Sequence, residues 1–128
     1  MIYLDTHVLV WLYAYGRGGV PEAVATRMET TDRLLISPMV RLELEYLKEI
    51  GRVDEPPITV LDALETVIGL KVCNASFHAV VGEAESQNWT RDPFHRLIVA
   101  HAALFNAQLI TKDDTIRANY LHAYWDES

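Results

Sequence analysis

Met1-Ile2-Tyr3-Leu4-Asp5-Thr6-His7 opens the chain, and the reading of these seven residues decides the fold. Ile2 to Leu4 suit a short buried strand. A carboxylate and a hydroxyl follow together, and an apolar helical pattern begins near Val8. A carboxylate at the carboxyl end of a first strand stands where open α/β sheets put their ligand sites. Asp is also a good N-cap, so the same residue suits a purely local role in starting the helix.

The pattern that begins there repeats along the chain. Leu9, Leu12 and Tyr13 recur at helical spacing over 7–15, and Gly16 to Gly19 break the run. Pro21 starts a second helix, 21–31, and Leu34-Leu35-Ile36 reads as a strand. Ser37-Pro38 is a helix start, with Gly51 as its stop, Met39, Leu42, Tyr46 and Ile50 as its stripe, and Leu44 and Leu47 widening the apolar surface. A loop over 51–57 closes with Pro56-Pro57, and a helix over 59–69 and a strand over 70–73 follow. Ser76 caps a helix to about Asn88 with an apolar face of Phe77, Val80, Val81 and Ala84. Phe94, Leu97, Ile98, His101, Leu104 and Phe105 mark a helix over 93–106. A strand over 108–111, a polar turn, a short helix over 114–119 and an edge strand over 123–125 complete the chain. Short apolar strands alternating with amphipathic helices predict an α/β fold in one domain, 1–128. Its central parallel sheet has about five short strands and is covered on both faces.

Composition sets the remaining bounds. Half of the 128 residues are hydrophobic, which supplies an ample core. The apolar runs are short and broken by charge, so no membrane span is expected. The first residues carry no basic segment ahead of a hydrophobic stretch, so no signal peptide is expected. The one cysteine, Cys73, lies in an apolar run and fits a small buried hydrophobe in a reducing cytoplasm. A net charge of −7 argues against gripping duplex DNA by bulk electrostatics. It is compatible with an enzyme whose carboxylates surround a cation, and with a basic partner protein.

Several acids fall at element junctions. Asp5 follows the first strand, Asp113 and Asp114 follow the strand over 108–111, Glu43 is early in its helix, and Asp92 precedes another. A parallel sheet brings these to one rim. Carboxylates at close quarters repel unless a cation or a proton compensates. Hard oxygen donors suit Mg²⁺ or Mn²⁺, and the chemistry this implies is metal-assisted hydrolysis. Each acid has a plainer reading too. Asp5 and Asp92 are suited to capping, Glu43 beside Glu45 to a solvated face, and Asp113 to turn chemistry. Arg41, Arg91, Arg96 and Lys112 lie near the expected rim, as phosphate contacts or as surface charges. His101 lies on an apolar stripe and reads as a core histidine. No zinc spacing, Gly-rich phosphate loop or nucleophile motif is present. A phospho-aspartate phosphatase would use a second acid two residues after Asp5, where His7 stands.

In order, these junctions resemble the four motifs of the PIN-domain family, and within it the VapC-like toxins of toxin–antitoxin pairs. Leu4-Asp5-Thr6-His7 is similar to the first motif. Ile36-Ser37-Pro38 with Leu42-Glu43-Leu44 is similar to the second. Arg91-Asp92-Pro93-Phe94 with Arg96-Leu97-Ile98-Val99-Ala100 is similar to the third, and Thr111-Lys112-Asp113 to the fourth. The resemblance covers nearly the whole chain. It implies a three-layer α/β/α sandwich and an Mg²⁺- or Mn²⁺-dependent ribonuclease acting on RNA. It also implies a homodimer and a small antitoxin whose tail covers the acidic site. By this resemblance Asp5, Glu43 and Asp113 hold the metal, with Asp113 preferred over Asp114. Thr6, Ser37 and Thr111 orient water or ligands behind them. The third motif departs from the family pattern. An aspartate is usual three residues after the Asp-Pro aspartate, and here that position is His95. Asp92 or His95 then completes the site. Alternatively, the domain binds RNA or a protein without cutting.

Overall fold

The computed structural model describes residues 1–127. Five strands form the sheet: β1 (Ile2–Leu4), β2 (Leu34–Ile36), β3 (Lys71–Val72), β4 (Gln108–Ile110) and β5 (Ala123–Tyr124). Seven helices connect them: α1 (Thr6–Tyr15), α2 (Glu22–Glu29), α3 (Pro38–Glu49), α4 (Pro57–Ile68), α5 (Phe77–Glu85), α6 (Pro93–Leu104) and α7 (Asp114–Asn119). A 3-10 turn, Gly16–Gly19, separates α1 from α2. The expected α/β architecture with a five-stranded parallel sheet is what the chain adopts.

Every strand pairs parallel to its neighbours, in the order β3-β2-β1-β4-β5. The chain therefore steps from β1 to β2 to β3 in one direction. It then crosses back and steps from β4 to β5 in the other. Right-handed crossovers put the connections of the two marches on opposite faces. Accordingly α1 packs on α4 and α5 on α6, while α3 touches both α4 and α6. The reversal lies between β1 and β4, and that is where a doubly wound sheet opens a crevice beyond its strand ends.

Local chemistry explains most boundaries. Ser37 accepts a hydrogen bond from the Met39 N–H and Pro38 occupies the first turn of α3. Pro57 is inside α4, not in the preceding loop as expected, because its fixed φ suits the first helical position and Pro56 takes the cap. Gly69 ends α4 with φ 72, where a side chain would be strained. α6, the last helix of the crossover, stops at Leu104, and Asn106 takes the positive φ of 51 in the turn into β4.

The core corrects several expected faces. On α3 the buried residues are Val40, Leu44 and Leu47, while Leu42, Tyr46 and Ile50 are exposed. The helix carries two apolar stripes, and only the one next to the sheet is covered. On α5 Val80 and Ala84 are buried but Phe77 and Val81 are exposed. On α6 the buried run is Ile98 to Ala102, with Phe105 outside. Tyr13 on α1 is exposed as well. His101 is a core histidine: burial pushes its pKa down, and Nδ1 lies 3.0 Å from the Leu97 carbonyl oxygen. Cys73 is buried and accepts a hydrogen bond from the Tyr3 hydroxyl at 3.1 Å.

One glycine is fixed by space. A Cβ on Gly19 would lie 2.3 Å from the Trp11 carbonyl oxygen, so the turn packs directly on the α1 backbone. Gly18 has open space at the same point. Gly19→Ala is expected to lower stability by roughly 1–3 kcal/mol, because the obstacle is backbone and cannot rotate away. Denaturant unfolding beside Gly18→Ala checks this, and equal midpoints for the two variants would refute it.

Candidate active site

The carboxyl ends of β1 and β4 build the site. The Asp5 N–H donates to the Ile110 carbonyl at 3.0 Å, which continues the β1–β4 register by one residue and sets Asp5 against Thr111. Asp5 is 7% exposed. Its Oδ1 accepts from the Thr6 N–H at 2.8 Å and its Oδ2 from the Thr111 hydroxyl at 2.6 Å. The capping reading of Asp5 thus holds locally. A cap alone, however, needs neither the buried hydroxyl nor a second carboxylate close by.

That second carboxylate is Glu43, one turn into α3, whose Oε1 accepts from the Thr6 hydroxyl. Burial pushes the Glu43 carboxyl above the usual range, and the charge of Asp5 adds to this. The Thr6 hydroxyl pulls the other way, as do His7 and His95. Two acids so placed are jointly costly when ionised, and a cation relieves the cost. Asp113 comes from the other side of the crevice. It caps α7, with Oδ1 accepting from the Ile116 N–H at 2.8 Å. The Thr111 hydroxyl accepts from the Asp113 N–H at 3.1 Å while donating to Asp5, so one buried threonine braces both acids.

Asp5, Glu43, Asp113 and His95 line one cavity of about 370 Å³, together with Lys112 and Asp114. His95 stands between acids: Nε2 is 3.8 Å from Asp113 Oδ2 and Nδ1 is 3.9 Å from Asp92 Oδ2. Asp92 is not among the lining residues. Its Oδ1 caps α6 by accepting from the N–H groups of Phe94 and His95. Asp114 is paired with Arg117 at 2.5 Å and its side chain points largely to solvent. Ser37 is a helix cap.

Three of the four cations expected near the rim go elsewhere. Arg96 donates to the carbonyls of Ala84 and Glu85, and Arg91 to that of Asn88. Arg41 lines a different depression with Asp62 and Glu65. Lys112 alone stays at the site, 3.4 Å from Glu127. The cavity also includes Trp11, absent from the expected site, and His7, which stands in the first motif but was assigned no role there. Their signal was available: they are one helical turn apart, on the face of α1 that follows Asp5.

The donor set fits a hard divalent cation in kind, with three carboxylates gathered in a crevice and one of them pushed toward protonation. Among the described residues no group of three or more His, Cys, Asp or Glu side chains is placed to hold a metal ion as it stands. The acids instead bond to threonine hydroxyls and backbone N–H groups. A second cavity of about 360 Å³, bordered by Leu12, Ala25, Met28 and Leu64, offers burial without a cluster of acids.

The sequence pattern of the PIN domain matches residues 2–120. No curated protein matches the chain. Among solved structures, it is similar to a chain of VapBC2 from Rickettsia felis bound to a DNA fragment from their promoter. The TM-score is 0.66 at 23% identity, covering 98% of this chain and 100% of that one. A toxin–antitoxin complex from Klebsiella pneumoniae gives 0.65 at 19% identity, covering 97% and 96%. VapBC-1 from nontypeable Haemophilus influenzae gives 0.65 at 21% identity, covering 99% and 98%. At these identities the likeness is one of fold.

Proposed function

The chain belongs to the PIN-domain family, and from that premise we propose that it is a divalent-metal-dependent endoribonuclease, the toxin of a toxin–antitoxin pair. The observation that carries the reading is the convergence of Asp5, Glu43 and Asp113 in one crevice between β1 and β4. Those three hold Mg²⁺ or Mn²⁺, with His95 as the fourth neighbour and Asp92 behind it. Bound there, the ion would polarise a phosphoryl oxygen of RNA and ease deprotonation of water. Thr111 fixes Asp5 and, through the Asp113 N–H, the turn that presents Asp113. Thr6 fixes Glu43. Buried hydroxyls of this kind orient the acids and keep them from swinging out to solvent.

The toxin assignment draws on the three structural neighbours, all of which come from toxin–antitoxin complexes. A small antitoxin with a basic tail suits the acidic crevice and the net charge of −7. The exposed stripe of Leu42, Tyr46 and Ile50 on α3 is the apolar surface available to a homodimer. Among the described residues no helix is long and apolar enough to cross a membrane, which is compatible with cytoplasmic work on RNA.

A second reading has its own observation. His95, 3.9 Å from Asp92 and 3.8 Å from Asp113, stands where the family pattern has an acid. On that reading the domain binds RNA or a protein without cutting. A cleavage assay on a mixed RNA pool separates the two. Cleavage in Mn²⁺ or Mg²⁺ and none in EDTA is expected. Cleavage that survives EDTA sinks the metal-dependent reading, and an intact pool under every condition favours the binding module.

A further inference from the structure

The wall of the crevice formed by α1 is aromatic, and neither capping nor metal binding accounts for it. His7 and Trp11 lie one turn apart on α1, with ring centroids 6.1 Å apart, and both line the cavity that holds Asp5, Glu43 and Asp113. Behind Trp11 stands Trp125, its ring 5.7 Å away and tilted by 59°. Trp11 and Trp125 are half-buried and pack against the core, so the indole of Trp11 is held from behind while it borders the cavity. The Trp11 carbonyl is in turn pinned by the close approach of Gly19. The result is a braced aromatic wall beside a cluster of acids, with the Trp11 ring tilted by 43° to His7 and by 59° to Trp125.

Electrostatics says what such a surface is for. Lys112 is the only lysine or arginine among the lining residues, which include four acids, Asp5, Glu43, Asp113 and Asp114, and its Nζ is 3.4 Å from Glu127. Side-chain attraction to phosphates therefore adds little affinity for a polyanion beyond what an ion held at the acids would supply. Stacking does not need positive charge: every nucleobase has a π-face, and bases stack on exposed aromatic rings with little regard to sequence. A base can offer that face only when it is unpaired, which selects a single strand over a duplex.

We propose that Trp11, backed by Trp125 and flanked by His7, is the stacking platform for an unpaired base of single-stranded RNA next to the phosphodiester held at the acids. This rests on the endoribonuclease reading and adds to it the residue that seats an unpaired base. Trp11 binds substrate and takes no part in proton transfer.

The test compares Trp11→Phe, which keeps a ring, with Trp11→Leu, which keeps apolar packing and loses it. Fluorescence anisotropy of a short labelled single-stranded RNA is read in Ca²⁺ for binding, and cleavage of the same RNA is followed in Mn²⁺. Trp11→Leu is expected to weaken binding by roughly tenfold or more and to raise KM while leaving kcat near wild type. Trp11→Phe should stay within about threefold of wild type, and the same RNA annealed to its complement should compete poorly. Equal binding by wild type and Trp11→Leu at matched melting temperatures overturns the platform, while continued cleavage leaves the ribonuclease reading standing. A wild type that neither binds nor cuts RNA sinks both. Should Trp11→Leu melt early, indole emission decides: RNA quenches wild type much more than Trp11→Phe if the base lies on Trp11. Equal quenching in the two proteins overturns the proposal.

Discussion

Asp5→Asn is expected to lower RNA cleavage by roughly two orders of magnitude or more, since even changes behind a metal ligand cost 10- to 100-fold. Its value lies in what it should leave intact. Asn keeps an oxygen to accept from the Thr6 N–H, so α1 stays capped. The Thr111 hydroxyl, now donating to Oδ2, can turn and accept from the amide instead. The substitution also removes the charge that helps push the Glu43 carboxyl up. In metal-free buffer the variant should therefore melt at or above the wild-type temperature. If Asp5 were only a cap, the outcome would be the reverse: a small change in stability and none in cleavage. Calorimetric titration with Mn²⁺ completes the argument, because the variant should lose heat of binding together with activity. Cleavage equal to wild type would remove Asp5 from the metal site and leave it as a helix cap.

The contrast between the two roles of Asp5 shows what a sequence can carry. Asp5, Glu43 and Asp113 were legible because each falls at a junction, and a parallel sheet leaves all such junctions at one rim. The two apolar stripes of α3 were not separable. Leu42, Tyr46 and Ile50 have the same periodicity as Val40, Leu44 and Leu47, and only the position of the sheet decides which is covered. Arg96 was misplaced for a related reason. Its position at the start of α6 is near the rim, but its guanidinium reaches back to the carbonyl of Ala84 at the end of α5. That contact depends on how α5 and α6 pack, which no local pattern encodes. Trp11 is an intermediate case, since the one-turn step from His7 was visible while the partner Trp125 lies at the far end of the chain.

His95→Asp should change metal preference more than any other single substitution, and its effect should have opposite signs with and without metal. The imidazole is 3.8 Å from Asp113 Oδ2 and shares a cavity with Asp5 and Glu43. A carboxylate there adds a fifth acid to the four that line the crevice. In EDTA the variant should therefore melt below wild type, because nothing offsets the added repulsion. With Mg²⁺ present the order should invert. A hard oxygen replaces a nitrogen that serves Mg²⁺ poorly, and Mg²⁺ affinity should rise by about tenfold to a hundredfold. Ligand binding stabilises the folded state by RT ln(1 + [L]/Kd), so that gain appears directly as a larger Mg²⁺-induced rise in melting temperature. Mn²⁺ accepts imidazole more readily, so its effect on the variant should be smaller, and the ratio of the two metals is the readout. Equal thermal shifts by Mg²⁺ in wild type and variant would show that position 95 does not face the ion. Cleavage by the variant beside an inert wild type would instead establish that His95 converts a nuclease scaffold into a binding module, with Asp5, Glu43 and Asp113 still in place around a site that lacks its fourth acid.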